Sequence, residues 1–246
     1  LPQYLLPKRA LTQLMGYLAS REAGAVTTAV IRWFIRRYQV NMAEALNPDP
    51  AAYSSFNSFF TRELKPGVRP LADSEWICPV DGAVSQLGRI QGDQIFQAKG
   101  HSYSTQALVG GDAQLAAQFQ DGHFDLFSVN PTTARGVPGL FARNERVVCV
   151  FEGKHGPFVM VLVGATIVGS MATTWHGVVN PPRPGHVREW NYADKNIHLE
   201  QGAEMGRFLL GSTVVLLTPP GPLQFNADWC ATAPVRLGEA MASQQP

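Results

Sequence analysis

The sequence of 246 residues has little cysteine, little charge and no long hydrophobic run. Its three cysteines, Cys78, Cys149 and Cys230, are far apart and form no CxxC pair, so we expect neither a disulfide framework nor a metal site. The longest apolar run, residues 158–171, is interrupted by glycine, threonine and serine and is too short to span a bilayer. The first residues lack a signal-peptide pattern, so we also expect no cleaved leader.

Common nucleotide-binding and hydrolase motifs are missing as well, because no Gly-rich phosphate loop, HExxH, GxGxxG or GxSxG occurs. The 20 Lys and Arg residues nearly balance the 19 Asp and Glu residues, which gives no bulk attraction to nucleic acid. The charge is uneven, however. Residues 1–40 contain six Lys or Arg and one Glu, a net charge of +5, which leaves 1 − 5 = −4 for the rest. This asymmetry predicts an anionic surface as the partner of the N-terminal segment.

Residues 9–38 have the apolar spacing of helices, with a break near residues 22–24. In the second part, Val26, Val30, Trp33 and Phe34 form one predicted apolar stripe, with arginines on other faces. Two interpretations stay open at this point. Such a helix could lie in a membrane interface, or it could pack on the core of the protein and expose a basic face to solvent.

From residue 76 onward, short apolar or alternating runs recur between Gly, Pro, Asn and Asp, which predicts a mostly antiparallel β core. Only residues 105–120 look helical there, with Gly110-Gly111 as a weak point. Helices followed by strands favour an α+β fold, in which N-terminal amphipathic helices accompany a mostly antiparallel β-sandwich. We place the domain boundary at the Pro-rich break, giving a helical segment 1–46 and a β-rich catalytic domain 47–246. The predicted strand runs are WICPV, GAVSQL, DQIFQA, RVVCVF, FVMVLVG, TIVGSM, HGVV, RFLL and TVVLL.

Three short motifs contain residues that can do chemistry. In CPVDGAVSQLG, residues 78–88, Asp81-Gly82 is most simply a turn, although a carboxylate beside a turn can also orient a histidine. In KGHSYS, residues 99–104, the histidine is more simply structural.

The third motif is the triplet Gly211-Ser212-Thr213, which separates two apolar runs. A kink or bulge is its simplest interpretation, because glycine tolerates unusual backbone conformations. A backbone that breaks itself between Gly211 and Ser212 is the alternative.

Taken together, seven stretches in one order resemble the phosphatidylserine decarboxylase family, of the bacterial membrane-associated type. The resemblance covers nearly the whole chain. The stretches are SFNSFFTREL (55–64), CPVDGAVSQLG (78–88), QAKGHSYS (97–104), DLFSVN (125–130), LFARNERVVC (140–149), LVGATIVGS (162–170) and MGRFLLGST (205–213).

The resemblance implies a self-processing proenzyme. The Ser212 hydroxyl would attack the Gly211 carbonyl to form an ester, and elimination would leave dehydroalanine, which hydrolyses to a covalent pyruvoyl group at position 212. The products would be a large chain, 1–211, and a small chain, 212–246. The pyruvoyl cofactor would form a Schiff base with phosphatidylserine, and loss of CO2 would give phosphatidylethanolamine. The family further implies peripheral association with the cytoplasmic face of a bacterial membrane, a homo-oligomer, and catalytic roles for Ser212 and Asp81.

One family element is missing. The family has a Tyr-His-Arg-x-His element before DLFSVN, and its second histidine is the base that pairs with the aspartate of the Asp-Gly motif. Here DGHF (121–124) runs directly into DLFSVN. Either the chain has lost its base, or the sequence as given is closed up across a loop of the natural chain. The match of both flanks favours the second explanation, and we assign the base to none of the six histidines.

Two other functions remain possible from the residues alone. The first is a serine hydrolase with an Asp81–His–Ser212 relay and no self-cleavage. The second is a non-catalytic module that binds a membrane surface.

Overall fold

The computed structural model describes residues 14, 16–97, 101–128, 140–164, 170–181, 185–209 and 213–244. The helices are α1 (Ala25–Tyr38), α2 (Phe56–Phe60), α3 (Thr105–Leu108), α4 (Ala113–Ala117) and α5 (Leu140–Arg143), and residues 16–20 before α1 are also helical. The strands are β1 (Trp76–Ile77), β2 (Gly82–Arg89), β3 (Gln94–Gln97), β4 (His101–Ser104), β5 (His123–Ser128), β6 (Arg146–Gly153), β7 (Gly156–Val163), β8 (Met171–Thr173), β9 (Gly177–Asn180), β10 (Gly206–Phe208), β11 (Thr213–Thr218), β12 (Leu223–Phe225), β13 (Pro234–Val235) and β14 (Ala240–Gln244).

These residues form two compact units, the first of which contains the chain up to Arg69 together with β8, β9 and β10. In this unit, α1 packs on α2 through Phe34, whose ring centroid lies 5.1 Å from that of Phe56 and 5.9 Å from that of Phe59. Helix α2 starts at a capping box in which Ser55 and Ser58 each accept a hydrogen bond from the backbone N–H of the other. The strands β10, β8 and β9 form a small antiparallel sheet in that order.

The structure divides the predicted apolar stripe of α1 into two faces. Phe34 faces the unit's own core, next to the buried Ile31. Val26, Val30 and Trp33 point away from that core and are 65%, 45% and 56% exposed. The prediction of one continuous stripe was therefore wrong. Phe34 packs inside the unit, whereas Val26, Val30 and Trp33 face outward.

The second unit is built on a six-stranded antiparallel sheet with the order β13-β2-β5-β11-β7-β6. One face packs on a second sheet, β1-β14-β12, around Val84, Phe127, Leu216 and Met241. The other face packs against the β3–β4 hairpin and the short helices around Phe119, which makes the unit a sandwich with helical cover. The α+β class with mostly antiparallel sheets is confirmed.

The helical prediction for residues 105–120 and its weak point are also seen in the structure. Helices α3 and α4 replace one long helix, and the break falls at Gly110 and Gly111, with φ angles of 87° and 100°.

The predicted runs GAVSQL, RVVCVF and TVVLL lie entirely on strands, and the other runs lie on strands only in part, but β5 was not among them. This central strand is buried on both faces and contains His123 and Asp125, so it lacks the apolar pattern expected of a buried strand.

Candidate functional site

One end of the six-stranded sheet has a single row of paired residues across its strands. Its members are Pro234 of β13, Ala83 of β2, Ser128 of β5, Thr213 of β11, Val163 of β7 and Arg146 of β6, and we call them the terminal row. Thr213 is the residue that follows the predicted cleavage site. Gly211 and Ser212 themselves lie outside the described residues.

Asp81 belongs to the same end of the sheet. Strands β2 and β11 both run antiparallel to β5, so they run in the same direction and both begin at this end. Asp81 comes two residues before Ala83, and Thr213 lies two strands away, which corresponds to about 10 Å between the strand axes. The topology therefore brings the Asp-Gly motif and the start of β11 to one end of one sheet.

The Asp81 carboxylate also holds local structure together. Its Oδ1 accepts a hydrogen bond of 2.9 Å from the backbone N–H of Leu237, just after β13 pairs with β2. This bond joins the start of β2 to the chain after β13, and it is compatible with a second role for Asp81 because a carboxylate can accept several hydrogen bonds.

Thr213 is held on both sides by its neighbours. Its hydroxyl donates a 3.2 Å hydrogen bond to the Ser128 hydroxyl, and both side chains are buried. On its other side, Thr213 pairs with Val163. Sequence reasoning missed Ser128, although it belongs to the quoted DLFSVN stretch. A buried serine in a strand is the only signal that could have indicated it.

Two described histidines of the second unit, His123 and His155, lie at the opposite end of this sheet. His123 pairs with Thr218 and lies five residues along β5 from Ser128, about 17 Å away. His155 sits in the β6–β7 turn, at the same far end, 3.3 Å from Glu75. The side chain of His101 on β4 and the whole of Lys99 lie outside the described residues.

The far half of β5 contains an unusual buried cluster of polar groups. Asp125 is 1% exposed, and neither of its carboxylate oxygens has a hydrogen-bond partner. Burial raises its pKa to about 8, because a low-polarity environment disfavours the charged form. On the same face, His123 Nδ1 also has no hydrogen-bond partner. The pKa of His123 is lowered, mainly by burial and secondly by the positive charge of Arg89.

Among the described residues, no group of three His, Cys, Asp or Glu side chains could hold a metal ion. Cys78 and Cys149 are buried free thiols, and burial raises the pKa of each to about 12. Neither thiol is therefore a ready nucleophile. No described helix has the length and apolarity needed to cross a membrane.

These features define an α+β protein with a mostly antiparallel sandwich, in which the Asp81 carboxylate and the buried hydroxyls of Ser128 and Thr213 belong to one end of one sheet. Comparison with known proteins narrows this class. A family model described as "Phosphatidylserine decarboxylase" matches residues 56–125 and 124–243, and a second model, described as "PSD", matches residues 1–39.

Several curated proteins are similar over almost their full length. A protein of Variovorax paradoxus is 65% identical over 99% of this chain and 96% of its own length. One of Delftia acidovorans is 63% identical over 99% and 96%, and one of Azoarcus is 63% identical over 98% and 94%. All three are named phosphatidylserine decarboxylase proenzyme. The chain belongs to the phosphatidylserine decarboxylase family.

The comparisons also locate a gap. The two stretches of the family match meet at Phe124–Asp125, inside β5 and directly before the DLFSVN stretch. The Variovorax alignment covers 272 positions, whereas this chain has 246 residues, so at least 272 − 246 = 26 positions have no counterpart here. The buried, unpartnered Asp125 is the first residue after this junction.

Proposed function

We propose that the protein is a proenzyme that cuts itself and then decarboxylates phosphatidylserine to phosphatidylethanolamine. The observation that carries the proposal is the identity of 62–65% with proenzymes of that name over nearly the whole chain. The geometry of the terminal row supports it, because Thr213 is anchored beside the proposed cleavage site.

The proposed cut lies between Gly211 and Ser212. Ser212 would supply the nucleophilic hydroxyl and the carbon skeleton of a pyruvoyl group, and Asp81 would orient and stabilise the histidine base. A neutral serine hydroxyl needs such a base. We expect the base in the segment that relatives have between Phe124 and Asp125.

A pyruvoyl group supplies an electrophilic carbonyl that binds the substrate amine and withdraws electrons as CO2 leaves. The described residues fit a pyruvoyl group at position 212 in one respect. The hydroxyls of Thr213 and Ser128 are hydrogen-bonded to each other and buried. Residue 212, which would carry the pyruvoyl group, would therefore be attached to a strand whose first residue is held in place and shielded from water.

We further propose that the protein associates peripherally with the cytoplasmic face of a bacterial membrane through α1. The outward stripe of Val26, Val30 and Trp33 is apolar, and α1 contains three arginines and no acidic residue. Apolar side chains and arginines on one helix suit an interface of anionic lipid. The homo-oligomer stays a prediction.

The processing proposal is tested in the 246-residue chain and in an extended chain, defined as the same chain with the Variovorax residues of the gap inserted between Phe124 and Asp125. In the extended chain, intact mass should reveal a fragment ending at Gly211 and a small fragment with a blocked N-terminus. Ser212→Ala should leave the chain whole and inactive. Asp81→Asn should slow cutting by about 100-fold or more, because the base loses its orienting partner.

Two matched controls keep loss of folding apart from loss of chemistry. Ser243→Ala changes an exposed serine, and Asp112→Asn changes a carboxylate that accepts backbone N–H groups, as Asp81 does. Both control variants should be cut at the normal rate. An extended chain that stays whole, or a Ser212→Ala variant that is still cut, would contradict the proposed processing.

A further inference from the structure

The turn that follows α5 holds the end of β7 with reciprocal hydrogen bonds. Asn144 Nδ2 donates to the Gly164 carbonyl at 2.8 Å, and the Gly164 N–H donates to the Glu145 carbonyl, also at 2.8 Å. Gly164 directly follows Val163, the β7 member of the terminal row. The turn therefore fixes the strand end that lies next to Thr213.

Arg146 anchors the same turn to the helices. Its Nε donates to the Leu108 carbonyl and its Nη2 to the Ala107 carbonyl, each at 2.6 Å. Its Nη1 donates to the carbonyls of Ala142 at 2.8 Å and Asn144 at 3.0 Å. One guanidinium thus joins the last carbonyls of α3, helix α5 and the turn, which a planar group with five donors can do and a lysine cannot.

Strand β7 connects these contacts to the strand that begins beside the proposed cleavage site. Val163 pairs with Arg146 on one side and with Thr213 on the other. Thr213 is therefore separated from the turn by a single strand, and Ser128 holds its opposite side.

We propose that Asn144 and Arg146 are positioning residues for cleavage between positions 211 and 212. They act by fixing the end of β7 and, through it, the backbone of Thr213. The inference rests on the proposed self-processing. Intramolecular attack depends steeply on geometry, and a misplacement of about 1 Å can cost about 100-fold in rate. Removing the hydrogen bonds of Asn144 or Arg146 should therefore slow cutting, although no reacting group is lost.

The test compares two asparagine variants of the extended chain. Asn144→Asp replaces the donor to Gly164 with a carboxylate that repels the carbonyl. Asn226→Asp is the matched control, since Asn226 Nδ2 donates to the Ala240 carbonyl at 2.9 Å in the other sheet. We expect Asn144→Asp to be cut at least tenfold more slowly, Asn226→Asp within twofold of the unmodified chain, and both to melt within a few degrees of each other. Arg146→Lys should fall between them.

Hydrogen exchange on the 246-residue chain gives a readout that needs no cleavage. Asn144→Asp should speed exchange in peptides from the end of β7 and the start of β11, and leave β12 and β14 unchanged. Equal cutting rates, or exchange that rises equally in both sheets, would overturn the inference. If the unmodified extended chain is not cut, the proposed processing fails, and the exchange result alone decides whether the turn holds Thr213.

Discussion

At the scale of single residues, Asp125 has the most direct energetic consequence. Its carboxyl is buried on the face of β5 that packs around Phe127 and Leu216, without a hydrogen-bond partner. A buried ionised carboxylate without a partner is costly, so the folded chain keeps this group protonated up to a pKa of about 8. An unfolded aspartate loses its proton near pH 4.

This difference predicts a pH-dependent stability. Between about pH 4 and pH 8 the folded chain binds one proton more than the unfolded chain at this site, so the free energy of unfolding should fall as pH rises. The contribution of Asp125 is fully present below pH 4 and lost by about pH 8, with a slope of up to about 1.4 kcal/mol per pH unit. Asp125→Asn should flatten the decline, measured as urea midpoints from pH 5 to pH 9.

The lowered pKa of His123 changes stability with pH in the opposite direction. Because His123 is present in both chains, the difference between the pH profiles of Asp125→Asn and the unmodified chain reports Asp125 alone. Asp73→Asn is the control, since Asp73 is exposed and should not change the slope. An unchanged pH profile in Asp125→Asn would show that Asp125 is not the buried group responsible.

At the scale of elements, helix α1 has two apolar faces in different surroundings. The inner face, with Ile31 and Phe34, packs on α2, and the outer face, with Val26, Val30 and Trp33, is exposed. The sequence pattern alone could not separate them, because both faces contain large apolar side chains at helical spacing. The contact of Phe34 with the α2 aromatic rings separates them.

The outer face gives a prediction about membranes. The double variant Val30→Ser and Trp33→Ser should weaken sedimentation with anionic vesicles by at least tenfold, since each residue contributes about 1 kcal/mol or more on burial. Added salt should weaken binding of the unmodified chain through the arginines. Val178→Ser, which changes an exposed valine on β9, is the control and should bind normally. Full binding by the double variant would exclude the outer face as the contact.

At the scale of the whole molecule, we expect the junction inside β5 to decide whether the proposed site is complete. The 246-residue chain joins Phe124 directly to Asp125, whereas its relatives align over at least 26 further positions. A positioned general base typically contributes about 100-fold to 10,000-fold in rate. We therefore expect the extended chain to cut itself at least 100-fold faster than the 246-residue chain, measured by intact mass over time.

A Gly-Ser insert of equal length at the same position is the control for that comparison, and it should give no acceleration. If the 246-residue chain is cut as fast as the extended chain, then the base lies among residues already present. The candidates for the base would then be the histidines of this chain.

The fold class could be predicted from the sequence, because apolar residues that alternate or run together between turn residues indicate strands. The sequence also determined the family, because seven stretches occur in one order, and it located the break before DLFSVN. The break within residues 105–120 was equally readable, since two adjacent glycines interrupt a helix.

Which residues come together depends on the tertiary fold and could not be predicted. Strand register is a long-range property, so the alignment of Ala83, Ser128, Thr213 and Val163 in one row cannot be read from local spacing. The central position of β5 could not be predicted either. Its sequence contains His123 and Asp125 and therefore lacks the apolar pattern of a buried strand. The contacts of Asn144 and Arg146 with Gly164 and Leu108 are likewise tertiary, because these acceptors lie about 20 and 40 residues away along the chain and become neighbours only on folding.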